Sequence, residues 1–301
     1  MTIRFDPENV VHVEFGVGLE EEQGTRFFFV PVGPDVQMAI EEMVVATVQA
    51  MNEYGPAPAP YDPADKHAAI EYLALPLTDL VAEPLRELYQ SVNLEVDVSV
   101  IDDPRELFCY FAKLRDTKDR ALTAVRRATQ FKGTVGKRLI RILTDALRMI
   151  EGNVFKLDAD FDLLVDSKTI HILRPSGFEA LASARDAILE AAPSNASAIG
   201  GEMRFLNFEN ISDYAGRHPR AARLLASIRS SGNSRDVSPN ALKALCRSNG
   251  VKYKTIRGKI AVEDGHELAF LEVLDRRRYE LELVEGRPER YRADSRKAVK
   301  D

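Results

Sequence analysis

Tryptophan is absent from the 301 residues, and cysteine occurs only twice, at Cys109 and Cys246. Two thiols so far apart in the chain make neither a disulfide framework nor a metal knuckle. Long hydrophobic runs are missing too. No apolar stretch approaches the roughly 20 residues that a membrane-spanning helix needs. The first residues, MTIRFDPENV, lack the apolar core and small-residue cleavage site of a secretory signal. Positive charge is scarce at the start of the chain. Residues 1–110 hold 5 Lys and Arg against 21 Asp and Glu, a balance of −16, whereas residues 111–301 carry +10. Hydrophobic residues make up 45% of the chain, which is enough for a sizeable core and excludes wholesale disorder. A cytoplasmic protein is expected, with a surface for a polyanion on its basic part. In the bland alternative, the acidic and basic parts attract one another across an internal interface.

The pattern predicts an α+β chain: an acidic N-terminal mixed module over residues 1–101, then a larger, basic, helix-rich α+β domain over 102–301. In the module, Val10–Phe15, Arg26–Val32, Tyr72–Leu77 and Leu94–Ile101 read as strands. Asp35–Met51 and Thr78–Ser91 read as helices. Four prolines between Tyr54 and Pro63 interrupt regular structure. From Asp102, a capping sequence (Asp103, Pro104, Glu106) predicts a helix to about Thr129, followed by a second helix from Gly136 to Ile150. Residues 113–148 hold 11 basic and 3 acidic side chains, so both helices would be basic on their polar faces. Phe155–Leu173 predicts a hairpin, and Phe178–Ala192 a helix followed by a loop over Pro193–Gly201. Ile211–Arg229 predicts a single helix, and Pro239–Ser248 another closed by Asn249-Gly250. VKYKTIRGKIAVED predicts a twisted strand pair or a wing. Gly265–Arg276 predicts a last helix before a charged tail, ordered only on contact, from Glu285.

Catalytic and metal motifs were tested against their spacing. In FKGTVGKR, two residues separate Gly133 from Gly136 and Arg138 follows Lys137, which excludes a Walker A loop. Asp158, Asp160, Asp162 and Asp166 fail the calcium-loop pattern, because Leu163 and Thr169 stand where glycine and glutamate are needed. On a strand, the first three would share a face and could gather magnesium for nuclease chemistry. That is the competing, enzymatic reading; a solvated strand edge, or a salt bridge to a basic neighbour, is the structural one. No two of the five histidines have metal-ligand spacing. No nucleophile elbow occurs, so no residue argues for catalysis, a cofactor or a metal.

The basic residues carry the functional expectation. Lys113, Arg120, Arg127, Lys132, Lys137, Arg138, Arg141 and Arg148 form one group, and Lys252, Lys254, Arg257 and Lys259 a second. Few aromatics are interleaved with them, which favours phosphate contacts on duplex DNA over base stacking on single strands.

VFKLDADFDLLVDSKTIHILRPSGFEAL, the later GKIAVED, and FLEVLDRRRYELEL with Tyr291 and Lys297 resemble the Kiwa anti-phage protein KwaB family over roughly residues 105–297. The resemblance implies a cytoplasmic, DNA-binding component of a bacterial defence system. It also implies homo-oligomers and a small membrane partner, KwaA, which would recruit the protein to the inner membrane face without insertion of its own. It assigns no catalytic residue.

Overall fold

The computed structural model describes residues 3–21, 24–54, 57–97, 107–128, 140–143, 146–149, 157–235 and 237–295. The chain forms two compact units. One comprises residues 1–61 and 68–183, and the other comprises residues 62–67 and 184–301.

The first unit contains β1 (Val10–Glu21), β2 (Gly24–Phe29), α1 (Pro34–Glu53), β3 (Ala59–Pro60), β4 (Leu73–Pro76), α2 (Glu83–Gln90) and β5 (Glu95–Val96). It continues with β6 (Leu107–Asp116), β7 (Ala121–Arg127), β8 (Ile140–Leu143), β9 (Ala146–Met149), β10 (Leu163–Val165), β11 (Thr169–Ile172) and α3 (Pro175–Leu181). Nine strands make one mainly antiparallel sheet in the order β3-β4-β11-β10-β7-β6-β1-β2-β5. The apolar stripe of α1 (Ile40, Met43, Val44, Met51) joins Phe15, Val17, Phe28, Tyr110, Ala112 and Leu114 in one core. Each such buried side chain contributes about 1.5–3 kcal/mol. Buried Thr47 fixes the helix further: its hydroxyl donates to the Met43 carbonyl at 2.7 Å and accepts from Phe161 N–H at 2.8 Å. At Gly16, opposite Phe111 in the β1–β6 register, a Cβ would lie 2.3 Å from the Phe111 ring and 2.4 Å from the Phe28 carbonyl. Only glycine allows those aromatics so close to the backbone.

The two basic helices expected over 102–129 and 136–150 are strands where the structure describes them: β6, β7, β8 and β9. The run LFCYFA at the start of β6 is almost wholly buried, because the sheet is covered on both faces. Burial on both faces erases the alternation that marks a half-exposed strand, and a continuous apolar run also satisfies helical spacing. Residue 102 lies between β1 and β6, which pair along most of their length, so the expected boundary there does not separate two folds.

Four aspects of the second unit also differ from expectation. Its elements are α4 (Ala184–Glu202), β12 (Leu206–Asn207), α5 (Glu209–Ala215), α6 (Pro219–Ser231), α7 (Pro239–Ser248), β13 (Tyr253–Ile256), β14 (Lys259–Val262), α8 (Glu267–Leu274), β15 (Arg278–Val284) and β16 (Arg287–Arg292). The loop expected over 193–201 is helix: α4 continues through Pro193 because Ala192, Ala196 and Ile199 are buried. The helix expected over 211–229 is two, α5 and α6, separated at Gly216–His218. The expected tail is a hairpin, β15–β16, with Tyr279 stacked on Tyr291 at 5.7 Å. Residues 62–67, from the proline-rich break, belong to this unit. Arg223 donates to the Pro63 carbonyl at 2.7 Å, and buried Arg277 donates to Asp65 at 2.7 Å.

Among the described residues, no helix is long and apolar enough to cross a membrane.

Candidate nucleic-acid interface

The described members of the first basic group lie on or beside strands of the first unit and do not share a helical face. Half-buried Lys113 is on β6, and its ammonium donates to the Ser91 carbonyl and hydroxyl beyond the end of α2. Burial lowers its pKa to about 8, against a smaller opposing effect of Glu14. Arg120 pairs with buried Asp116, its Nε 2.6 Å from the carboxylate. Arg127 is exposed at the end of β7, and its backbone N–H donates to Asp162. Lys132, Lys137 and Arg138 lie outside the described residues. Arg141 and Arg148 occupy paired register positions of the β8–β9 hairpin.

Burial pushes the Asp116 carboxyl up. Hydrogen bonds from the Arg120 side chain and from the N–H groups of Arg120, Asp6 and Lys118 outweigh that and hold it well below the usual carboxylate range. Asp166 is similar: burial raises it, and bonds from His171 and the N–H groups of Lys168 and Thr169 bring it below its ordinary value. His171 is buried, bridging Asp166 at 3.0 Å and the Tyr72 hydroxyl at 3.1 Å. A carboxylate with a depressed folded pKa stabilises the fold above its unfolded pKa, near 4, and loses that contribution as pH falls through the folded value. Acid titration followed by circular dichroism should therefore show stability falling below about pH 4. D116N should be less stable at pH 7 and lose less on acidification.

The three aspartates of the enzymatic reading lie just before β10 rather than on it, and they surround two guanidinium groups. Arg126 is 3.3 Å from Asp158, 3.1 Å from Asp160 and 2.9 Å from Asp162, while Arg174 reaches Asp160 at 2.7 Å. Burial raises the Asp162 pKa despite Arg126 and the Arg127 N–H. Among the described residues, no group of three His, Cys, Asp or Glu side chains is placed to hold a metal ion. Burial pushes the Cys109 thiol up to about 12 and the Cys246 thiol up to about 11, so neither is an activated nucleophile.

The second basic group is gathered on one hairpin. β13 and β14 are joined by Arg257 and Gly258, whose φ values of 50° and 77° suit the tight two-residue turn between paired Ile256 and Lys259. The sheet order is β12-β14-β13, so β13 is an edge strand. Ile260, Ala261 and Val262 are buried, while Lys252, Lys254, Arg257 and Lys259 are exposed. No ion pair to an acidic side chain is formed by any of these four within the described residues. The arginines of α6 are placed otherwise: Arg220 pairs with buried Glu272 at 3.4 Å, and Arg229 donates to Asn195 at 3.0 Å.

A helix pair precedes the hairpin. Gly232, with φ of 67°, closes α6 in the left-handed conformation. The Ser238 hydroxyl caps α7 by accepting from Ala241 N–H at 3.1 Å, with Pro239 in the first turn. Leu242 and Cys246 turn inward, and Asn240, Ala241, Ala244 and Arg247 outward. Residues 237–262 contain six cations (Lys243 and Arg247 with the hairpin four) and no acid. Sequence reasoning found the hairpin cations but missed Lys243 and Arg247. The signal was there: an amphipathic helix with no acid and small residues on its polar face.

A family model described as Kiwa protein KwaB-like matches residues 107–283. The chain belongs to that family. The match runs from β6 to β15, so it takes in part of the nine-stranded sheet and the helix pair with its hairpin. Kiwa is an anti-phage defence system, which places this KwaB-like chain in antiviral defence. No curated protein matches the chain, and no solved structure does.

Proposed function

We propose that this KwaB-like protein is a non-enzymatic DNA-binding component of anti-phage defence that grips duplex DNA by its phosphates, largely without regard to sequence at those contacts. The carrying observation is the β13–β14 hairpin, four exposed cations without acidic partners among the described residues, inside a stretch of six cations and no acid. Such cations neutralise phosphates and release condensed counterions, the main source of sequence-independent affinity. Arg127, Arg141 and Arg148, with Lys132, Lys137 and Arg138, are proposed as a supplementary phosphate track. The reading extends to a cytoplasmic homo-oligomer that works with the membrane partner KwaA, as the family resemblance implies. The experiment is fluorescence anisotropy of the full-length protein with labelled duplex DNA, single-stranded DNA and RNA across a salt series. Duplex affinity should fall steeply with salt, each neutralised phosphate adding roughly −0.9 to the logarithmic slope. No duplex binding at low salt would overturn the reading.

A further inference from the structure

In the second unit two successive helices, α6 and α7, precede the β13–β14 wing, and α7 has an outward face with no assigned role. Residues 232–238 connect α6 to α7, and β13–β14 follows α7 after four residues. β14 lies between β12 and β13, so the short strand ahead of the helix pair closes the wing's sheet. Leu242 and Cys246 are fully buried and fix the rotation of α7. Asn240, Ala244 and Arg247, at i, i+4 and i+7, are then left on the solvent face, with exposed Ala241 and Leu245 on one flank and partly exposed Lys243 on the other.

That composition suits one occupant. The 10 residues of α7 span about 15 Å, and an α-helix fits the major groove of B-form DNA, roughly 12 Å wide. Alanines at the centre of the face let the helix backbone come close to base edges. Asn240 carries the amide that pairs with adenine, and Lys243 and Arg247 the donors that pair with guanine. The absence of any acid from residues 237–262 matches a polyanion. From Ser248 to Tyr253 the chain spans at most about 18 Å, so α7 and the wing start within one helical turn of duplex of each other.

We propose that α7 is a reading helix that enters the major groove of duplex DNA, with Asn240, Lys243 and Arg247 at base edges while the β13–β14 wing rides the neighbouring phosphates. This rests on the wing being a phosphate-binding element, and adds to it a groove and a set of base contacts. Protein of this kind prefers some duplex sequences over others, which wing contacts alone do not produce.

The test uses full-length protein, labelled duplex DNA, and two neutral substitutions on the exposed face, N240A and A244M. Circular dichroism controls for folding. Each should weaken duplex binding about tenfold while leaving the salt slope unchanged, because no phosphate contact is removed. Methyl green, a major-groove ligand, should displace the protein, and netropsin, a minor-groove ligand, should not. Wild-type affinity in both variants, with binding lost when wing lysines are neutralised, overturns the reading helix and leaves the wing reading standing. Displacement by netropsin alone also overturns it. Equal affinity for double-stranded RNA of the same sequence overturns it as well, since the A-form major groove is too narrow for a helix. No duplex binding by the wild type removes both readings.

Discussion

The triple substitution K252Q/K254Q/K259Q is expected to lower duplex DNA affinity by roughly 10²–10³-fold near 0.1 M salt, and to reduce the slope of log affinity against log salt by about 3. All three lysines are exposed and make no ion pair with an acid in the described structure, so their neutralisation leaves the fold intact. Surface changes of this kind usually move stability by no more than about 0.5 kcal/mol. Arg257 is left in place because its φ of 50° is part of the turn, and its replacement would mix a backbone effect with a charge effect. The slope separates two explanations of weaker binding. A local distortion lowers affinity at every salt concentration equally, whereas lost phosphate contacts make the loss largest at low salt. An unchanged slope in the folded triple variant would exclude these lysines from the interface.

R277M is expected to destabilise the second unit by about 3–5 kcal/mol, measured as a lower denaturant midpoint by circular dichroism. Arg277 is fully buried. Its guanidinium lies 2.6 Å from Asp275, which is also fully buried, and 2.7 Å from Asp65, and it donates to the Asp294 carbonyl at 2.8 Å. Asp275 accepts from the Ser227 hydroxyl at 3.1 Å and from the Asn233 amide at 3.3 Å as well. Methionine fills the space but leaves the Asp275 charge buried without its cation, which is the costly way to break such a pair. Adding D275N removes the stranded charge, so the double variant should recover part of the loss. Because Arg277 holds Asp65, R277M should also increase protease cleavage within residues 62–67. A midpoint within the error of the wild type would mean that the buried network contributes little.

Much of the second unit was legible because its signals are local. Pro239 after Ser238, the inward spacing of Leu242 and Cys246, and Asn249-Gly250 define α7 within a dozen residues. The wing follows from its own alternation and turn. The α+β class came from the same local patterns, and the family from residues scattered along both units. The basic helices expected over 102–150 failed because Leu107, Phe111, Leu114, Leu122 and Val125 fit helical spacing by coincidence. A strand buried on both faces has no exposed side to reveal its period of two.

The charge division, the acid-free stretch over 237–262, α7 and the wing follow from the linear chain, since each depends on neighbouring residues and short-range backbone preference. Three other matters depend on how distant segments pack. Packing placed β6 beside β1 across some ninety intervening residues, and so removed the break at residue 102. It brought Arg126 and Arg174 to the three aspartates, turning an apparent metal set into an ion-pair cluster. It half-buried Lys113 against Ser91 and paired Arg120 with Asp116, while leaving the wing lysines exposed. The physical reason is common to all three. A charge acquires its role from what lies within about 4 Å of it, and for these residues that neighbour is supplied by a distant part of the chain.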